Sequence, residues 1–141
     1  MGLWDLLFGS DEKKETRKRI FISFAIEDKI YRDRLVEQAR NNRSPFEFID
    51  MSVKKEWDQK VWKDKCRTKI KRCHGVIALL SKNTHLAGGA RWEMKCAREE
   101  KVKIIGMHIF KNNKGEIPIE LKGKKIIEKK KKNLELFINQ L

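Results

Sequence analysis

Short apolar runs alternate along this chain with longer stretches of helical spacing. Residues 20–25, IFISFA, form an apolar run suited to a buried strand. Residues 27–40 then carry a helical pattern with Ile30, Tyr31, Leu35 and Val36 as its inward positions. Residues 41–45, NNRSP, are turn chemistry, because Pro45 disfavours helix at the residue before it. Phe46 to Ile49 predicts a second, short strand ending at Asp50. Across residues 54–72, Trp57, Val61 and Ile70, joined by Cys66 and Cys73, give one helical face. Residues 75–80, GVIALL, contain no polar side chain and give the most convincing strand. Residues 90–100 predict the next helix, 102–110 the next strand, 112–115 (NNKG) a turn, and Ile126 with Ile127 a last edge strand. Leu134, Phe137, Ile138 and Leu141 stand at i, i+3, i+4 and i+7, so the chain ends in an amphipathic helix. The lysine run 129–132 opens that helix as a solvated face.

The first residues follow another pattern. Leu3, Trp4, Leu7 and Phe8 share one side of a short helix that Gly9 would stop, and residues 10–19 are almost wholly polar, as in a tether or a solvated helix. This divides the chain into an apolar tip with a charged tether, 1–18, and one domain, 19–141. The tip either packs back onto its own domain or docks to a partner or membrane surface.

Strands alternating with helices imply parallel crossovers, hence a mainly parallel sheet covered by helices on both faces. Such sheets bind ligands beyond the carboxyl ends of their strands, where strand order reverses. That rule selects Ser23, Phe24 and Ala25 after the first strand, Asp50 after the second, and residues 81–92 after the third.

Composition narrows the picture in three ways. A length of 141 residues suits one domain with one core. With 34 Lys and Arg against 20 Asp and Glu, the net charge of +14 attracts polyanions, which leaves a basic nucleic-acid-binding domain as one functional alternative. Cys66, Cys73 and Cys96 form no CxxC pair or zinc-ligand spacing, and their odd number fits buried, reduced thiols of a cytoplasmic protein. No apolar run approaches the ~20 residues that span a bilayer, and the start matches neither a secretory signal nor a myristoylation site.

Among catalytic motifs, neither GxGxxG, GxxxxGK[ST] nor GxSxG is present. A phosphoacceptor domain of this fold class needs an acidic pair directly after the first strand; Glu27-Asp28 lies slightly late, and Asp50 ends the second strand rather than the third. What remains is a carboxylate in the stretch GGARWEM, residues 88–94. Glu93 is expected in the first turn of its helix, where it either complements the helix dipole or acts as a working carboxylate.

The strings RIFISFAIEDK, FEFIDMS, GVIALLSKNTH, ARWEMKCA and VKIIGMHI, in this order across residues 19–110, resemble the TIR-like family of bacteria and archaea, which includes the NAD-processing sensors of Thoeris anti-phage defence. The resemblance implies an α/β, flavodoxin-like three-layer sandwich on a central parallel five-stranded sheet. It also implies cleavage of the nicotinamide–ribose bond of NAD+ as substrate, with Glu93 catalytic and no metal or further cofactor. Ser23 and Phe24, Asp50 and Ser52, Ser81 and Thr84 match the family's substrate-binding strand ends, and Trp92 stands beside the glutamate. Family members usually carry a Trp where this chain has Gly89, so the pocket wall there is either open or supplied by Trp92 or Trp57. The family also implies homo-oligomeric assembly on activation and a downstream effector that senses the product, ADP-ribose or a cyclic ADP-ribose-type signal. The alternative of another class is a non-enzymatic TIR-like adaptor acting by self-assembly or partner docking.

Overall fold

A computed structural model describes residues 17–41, 44, 46–49 and 59–141. The apolar tip, most of the tether, and Asp50, Ser52 and Trp57 lie outside the described residues. Five parallel strands run in the order β2-β1-β3-β4-β5: β1 (Lys18–Ser23), β2 (Phe46–Ile49), β3 (Gly75–Leu80), β4 (Lys103–His108) and β5 (Ile126–Glu128). Among the described residues, four helices connect or follow them: α1 (Lys29–Asn41), α2 (Gln59–Lys71), α3 (Gly88–Glu99) and α4 (Lys131–Asn139).

Side chains of a strand point alternately to its two faces, and β1 and β3 use both for burial. Phe21, Val76, Ala78 and Leu80 pack with Trp62, Cys66 and Ile70 of α2 and with Ala90, Met94 and Ala97 of α3. Ile20, Ile22, Ile77 and Leu79 pack instead with Leu35 of α1 and with Phe137 and Ile138 of α4. The result is the three-layer α/β sandwich that the alternation of elements predicts. In β4, Gly106 leaves room that a side chain would destroy: a Cβ there would stand 2.7 Å from methyl groups of Leu80 and Ile126. No helix among the described residues is long and apolar enough to cross a membrane.

Several boundaries and faces depart from the sequence pattern. A 3-10 turn, Ile26–Asp28, precedes α1, and Ile30 is 54% exposed rather than inward, while Leu35 is buried and Tyr31 and Val36 are partly covered. Tyr31 meets Phe110 edge-to-face at 4.9 Å. On α2, Val61 is 40% exposed and its neighbour Trp62 takes the inward place at 4%. Helix α3 begins at Gly88, so both glycines belong to its first turn and Glu93 falls in the second. No acid stands in that first turn, and Glu93 is therefore not held by the end charge of the helix.

Candidate active site at the β1–β3 crevice

The chain steps from β1 outward to β2 and then returns across β1 to β3, so strand order reverses between β1 and β3. Beyond the carboxyl ends of these two strands lie two buried carboxylates, Glu93 and Asp28.

Glu93 is 5% exposed, and three elements meet at its carboxylate. Ser23, the last residue of β1, places its fully buried hydroxyl 2.9 Å from Glu93 Oε1 and 3.0 Å from the carbonyl of Ala90. One hydroxyl hydrogen serves these two acceptors. From α2, the Cys66 thiol approaches Glu93 Oε2 at 3.6 Å. Burial first, and then the negative charge of Glu93, push the Cys66 thiol far above its ordinary pKa, so it stays protonated and donates. Burial likewise raises Cys73 and Cys96 to about 11, and all three cysteines are free. These are the buried, unreactive thiols that their spacing suggested.

Asp28 forms the second cluster. It accepts a hydrogen bond from Ser81 Oγ at 2.6 Å and one from Asn83 Nδ2 at 3.2 Å. Thr84 Oγ1 donates to the carbonyl of Leu79 at 3.0 Å and accepts from the Ser81 N–H at 2.9 Å. The loop leaving β3 is thus tied both to the end of β1 and to itself. Gly115, at a φ of 77°, presses its backbone onto this loop: a Cβ there would meet the Ser81 carbonyl at 2.6 Å. Asn113 also has a positive φ, 57°, but the turn expected over residues 112–115 appears only as a bend at 111–112 followed by irregular backbone.

The sequence-selected residues therefore separate into groups. Ser23 and Glu93 touch. Ser81 and Thr84 are buried in the loop network with Asp28, which the sequence had weighed only as a misplaced phosphoacceptor. Phe24 packs on the α1–α4 side, with the Arg32 guanidinium 5.1 Å above its ring. Trp92 is partly buried between α2 and α3, tilted against Trp62 at 5.4 Å, with Lys63 and Arg67 over its ring. Arg91 is held bidentately by Glu120 through Nε at 3.0 Å and through Nη2 at 2.9 Å. Burial pushes the Glu120 carboxyl up, but hydrogen bonds from Arg91 and from its own backbone outweigh this and leave it below its ordinary range.

Trp62 is the residue the sequence missed. Its ring lies 3.6 Å from where a Cβ on Gly89 would stand, so among the described residues an indole from α2 fills the place of the absent Trp. Its indole N–H is buried with no partner among the described residues. The signal was present: residues 62, 66, 70 and 73 fall at i, i+4, i+8 and i+11, a better helical face than one through Val61.

A cavity of about 560 Å³ opens elsewhere, between α1 and α4 on the opposite face. Its apolar floor and lysine-lined edge offer no buried carboxylate.

Comparison with known proteins follows the same lines. Residues 21–114 match the family described as Thoeris protein ThsB, TIR-like domain. Among solved structures, the TIR domain of the Toll-related receptor TRR-2 from Hydra magnipapillata superposes with a TM-score of 0.60 at 12% identity, covering 86% of this chain and 91% of that one. That likeness concerns the fold. No curated protein matches the chain.

Proposed function

From the premise that this chain belongs to the TIR-like domain family of Thoeris protein ThsB, we propose that it cleaves NAD+ at the nicotinamide–ribose bond in anti-phage defence. The observation that carries the reading is the Glu93 carboxylate, buried where strand order reverses and held by Ser23 and Cys66 from two other elements. Breaking an N-glycosidic bond builds positive charge on the ribose, and a fixed carboxylate in a water-poor site stabilises that charge. Nicotinamide leaves as a neutral ring carrying the bonding electron pair. The ribose carbon is then captured by water, giving ADP-ribose, or by a nucleophile of the same molecule, giving a cyclic product.

Glu93 meets substrate by exchanging one donor for a ribose hydroxyl. Oε2 is the side to exchange, because a thiol is a much weaker donor than a hydroxyl. Ser23 then keeps Oε1 in place throughout. Asp50 and Ser52, outside the described residues, are the further residues this reading assigns to substrate.

The test is nicotinamide release from NAD+ by the assembled, activated protein, since TIR domains commonly self-associate. Glu93→Gln preserves shape and should lower the rate by about 10² to 10⁴ with little change in thermal midpoint. Full activity in Glu93→Gln would defeat the reading. A second reading rests on the same burial: a carboxylate this well enclosed also serves as a structural peg in a non-enzymatic adaptor. In that case Glu93→Gln destabilises the fold, and no nicotinamide is released by the wild type in any assembled state.

A further inference from the structure

We propose that the cavity between α1 and α4 is the docking site for this chain's own apolar tip, Leu3, Trp4, Leu7 and Phe8. The inference stands apart from the crevice and from NAD+ chemistry.

The cavity fits such an occupant in size and in lining. Its volume of about 560 Å³ falls within the roughly 300–1,000 Å³ of pockets that enclose a ligand. Leu35, Phe46, Phe48, Met107 and Ile138 line it with apolar surface, and at its edge the exposed lysines 129–131 outnumber the single acid Glu135, which pairs with Lys131 at 3.9 Å. An apolar hollow with a net positive edge suits an apolar segment that carries net negative charge.

The tip is that segment. Residues 1–16 hold four acids, Asp5, Asp11, Glu12 and Glu15, against Lys13 and Lys14, a balance of 2 − 4 = −2. The remaining 125 residues then carry 14 + 2 = +16. The acidic start and the basic body are complementary, with Asp5 inside the apolar tip and Asp11, Glu12 and Glu15 following it.

The chain also arrives at the right place. Arg17, the first described residue, lines a smaller pocket of about 210 Å³ that shares Ala39, Ser44, Phe46 and Phe48 with the cavity. Residues 9–16 lie between Phe8 and Arg17 and can span up to about 26–29 Å when extended, so the tip reaches the hollow without displacing β1. Tethering makes the docking intramolecular, with an effective concentration on the order of millimolar.

Hydrogen exchange on the full chain tests this. The wild type is compared with Trp4→Ser/Leu7→Ser, which keeps every charge. Amides of α4 and β2 should exchange at least tenfold faster in the variant, and a peptide of residues 1–16 added to it should restore the slow rate. Lys129→Glu/Lys130→Glu/Lys131→Glu, all exposed and harmless to the core, should weaken that restoration about tenfold. Equal exchange in wild type and tip variant overturns the proposal. So does protection that disappears on dilution, which would mark a second copy as the occupant, or protection that appears only with vesicles of anionic lipid.

Discussion

Two buried carboxylates stand at the ends of the same pair of strands, and their partners set them apart. Asp28 is bonded by Ser81 and Asn83, two residues of one loop, so its charge closes that loop onto the end of β1. Glu93, itself on α3, is approached from β1 by Ser23 and from α2 by Cys66. The first carboxylate has two hydrogen bonds from good donors. Among its contacts with the described residues, the second takes one from a hydroxyl and one from a thiol, the weaker kind of donor. Burial alone does not mark a working acid. Under the proposed reading, what distinguishes Glu93 is that the weak thiol donor is the partner a substrate hydroxyl would replace, whereas replacing either partner of Asp28 opens a loop.

The largest effect on stability should come from the wall beside Glu93. Trp62→Ala removes a buried indole and should cost about 3–5 kcal/mol, read from the midpoint of denaturant unfolding. A cost below about 1 kcal/mol would mean that Trp62 does not fill the space over Gly89. Next, Asp28→Ala strands the Ser81 hydroxyl and should cost about 1–3 kcal/mol. Its signature is faster hydrogen exchange across residues 81–86, and unchanged exchange there would erase the contrast between the two carboxylates. Ser23→Ala should cost less, about 1 kcal/mol. If Ser23 positions Glu93, steady-state kinetics of the active protein will show kcat falling while KM for NAD+ barely moves.

The smallest effect belongs to a third, more exposed carboxylate. Glu120 titrates below the usual carboxylate range in the folded chain. The stability this contributes is complete above the unfolded pKa and is lost as pH falls through the lowered folded value. Thermal midpoints measured from neutral pH downward should therefore fall less steeply on the acid side in Arg91→Gln than in the wild type. Identical acid limbs would show that the Arg91–Glu120 pair is energetically silent.

Much of the fold was legible because its strands are written without ambiguity. GVIALL, short, apolar throughout and bounded by polar residues, suits a strand buried on both faces, and its register with β1 and β4 sets the sheet. The rule for strand ends then brought Ser23 and Glu93 to one crevice, where they touch. Side-chain direction was harder to read. One residue of phase separates Val61 from Trp62, and in so charged a helix few apolar positions fix that phase. The partners of Asp28 were hidden because Ser81 and Asn83 lie more than fifty positions away in sequence. Among the described residues the indole over Gly89 is Trp62 of α2 and not Trp92, a placement across helices that the pattern of α3 alone does not reveal, while Trp57 lies outside the described residues. Asp50 and Ser52 stay as the resemblance left them, outside the described residues.

The contact between Cys66 and Glu93 gives the protein a built-in clock. The thiol is wholly buried and protonated, so an alkylating reagent labels it only after the surroundings of the carboxylate have parted. The labelling rate at residue 66, resolved by mass from Cys73 and Cys96, times that uncovering in the unmodified chain. It then shows whether assembly hastens the uncovering before any NAD+ is present.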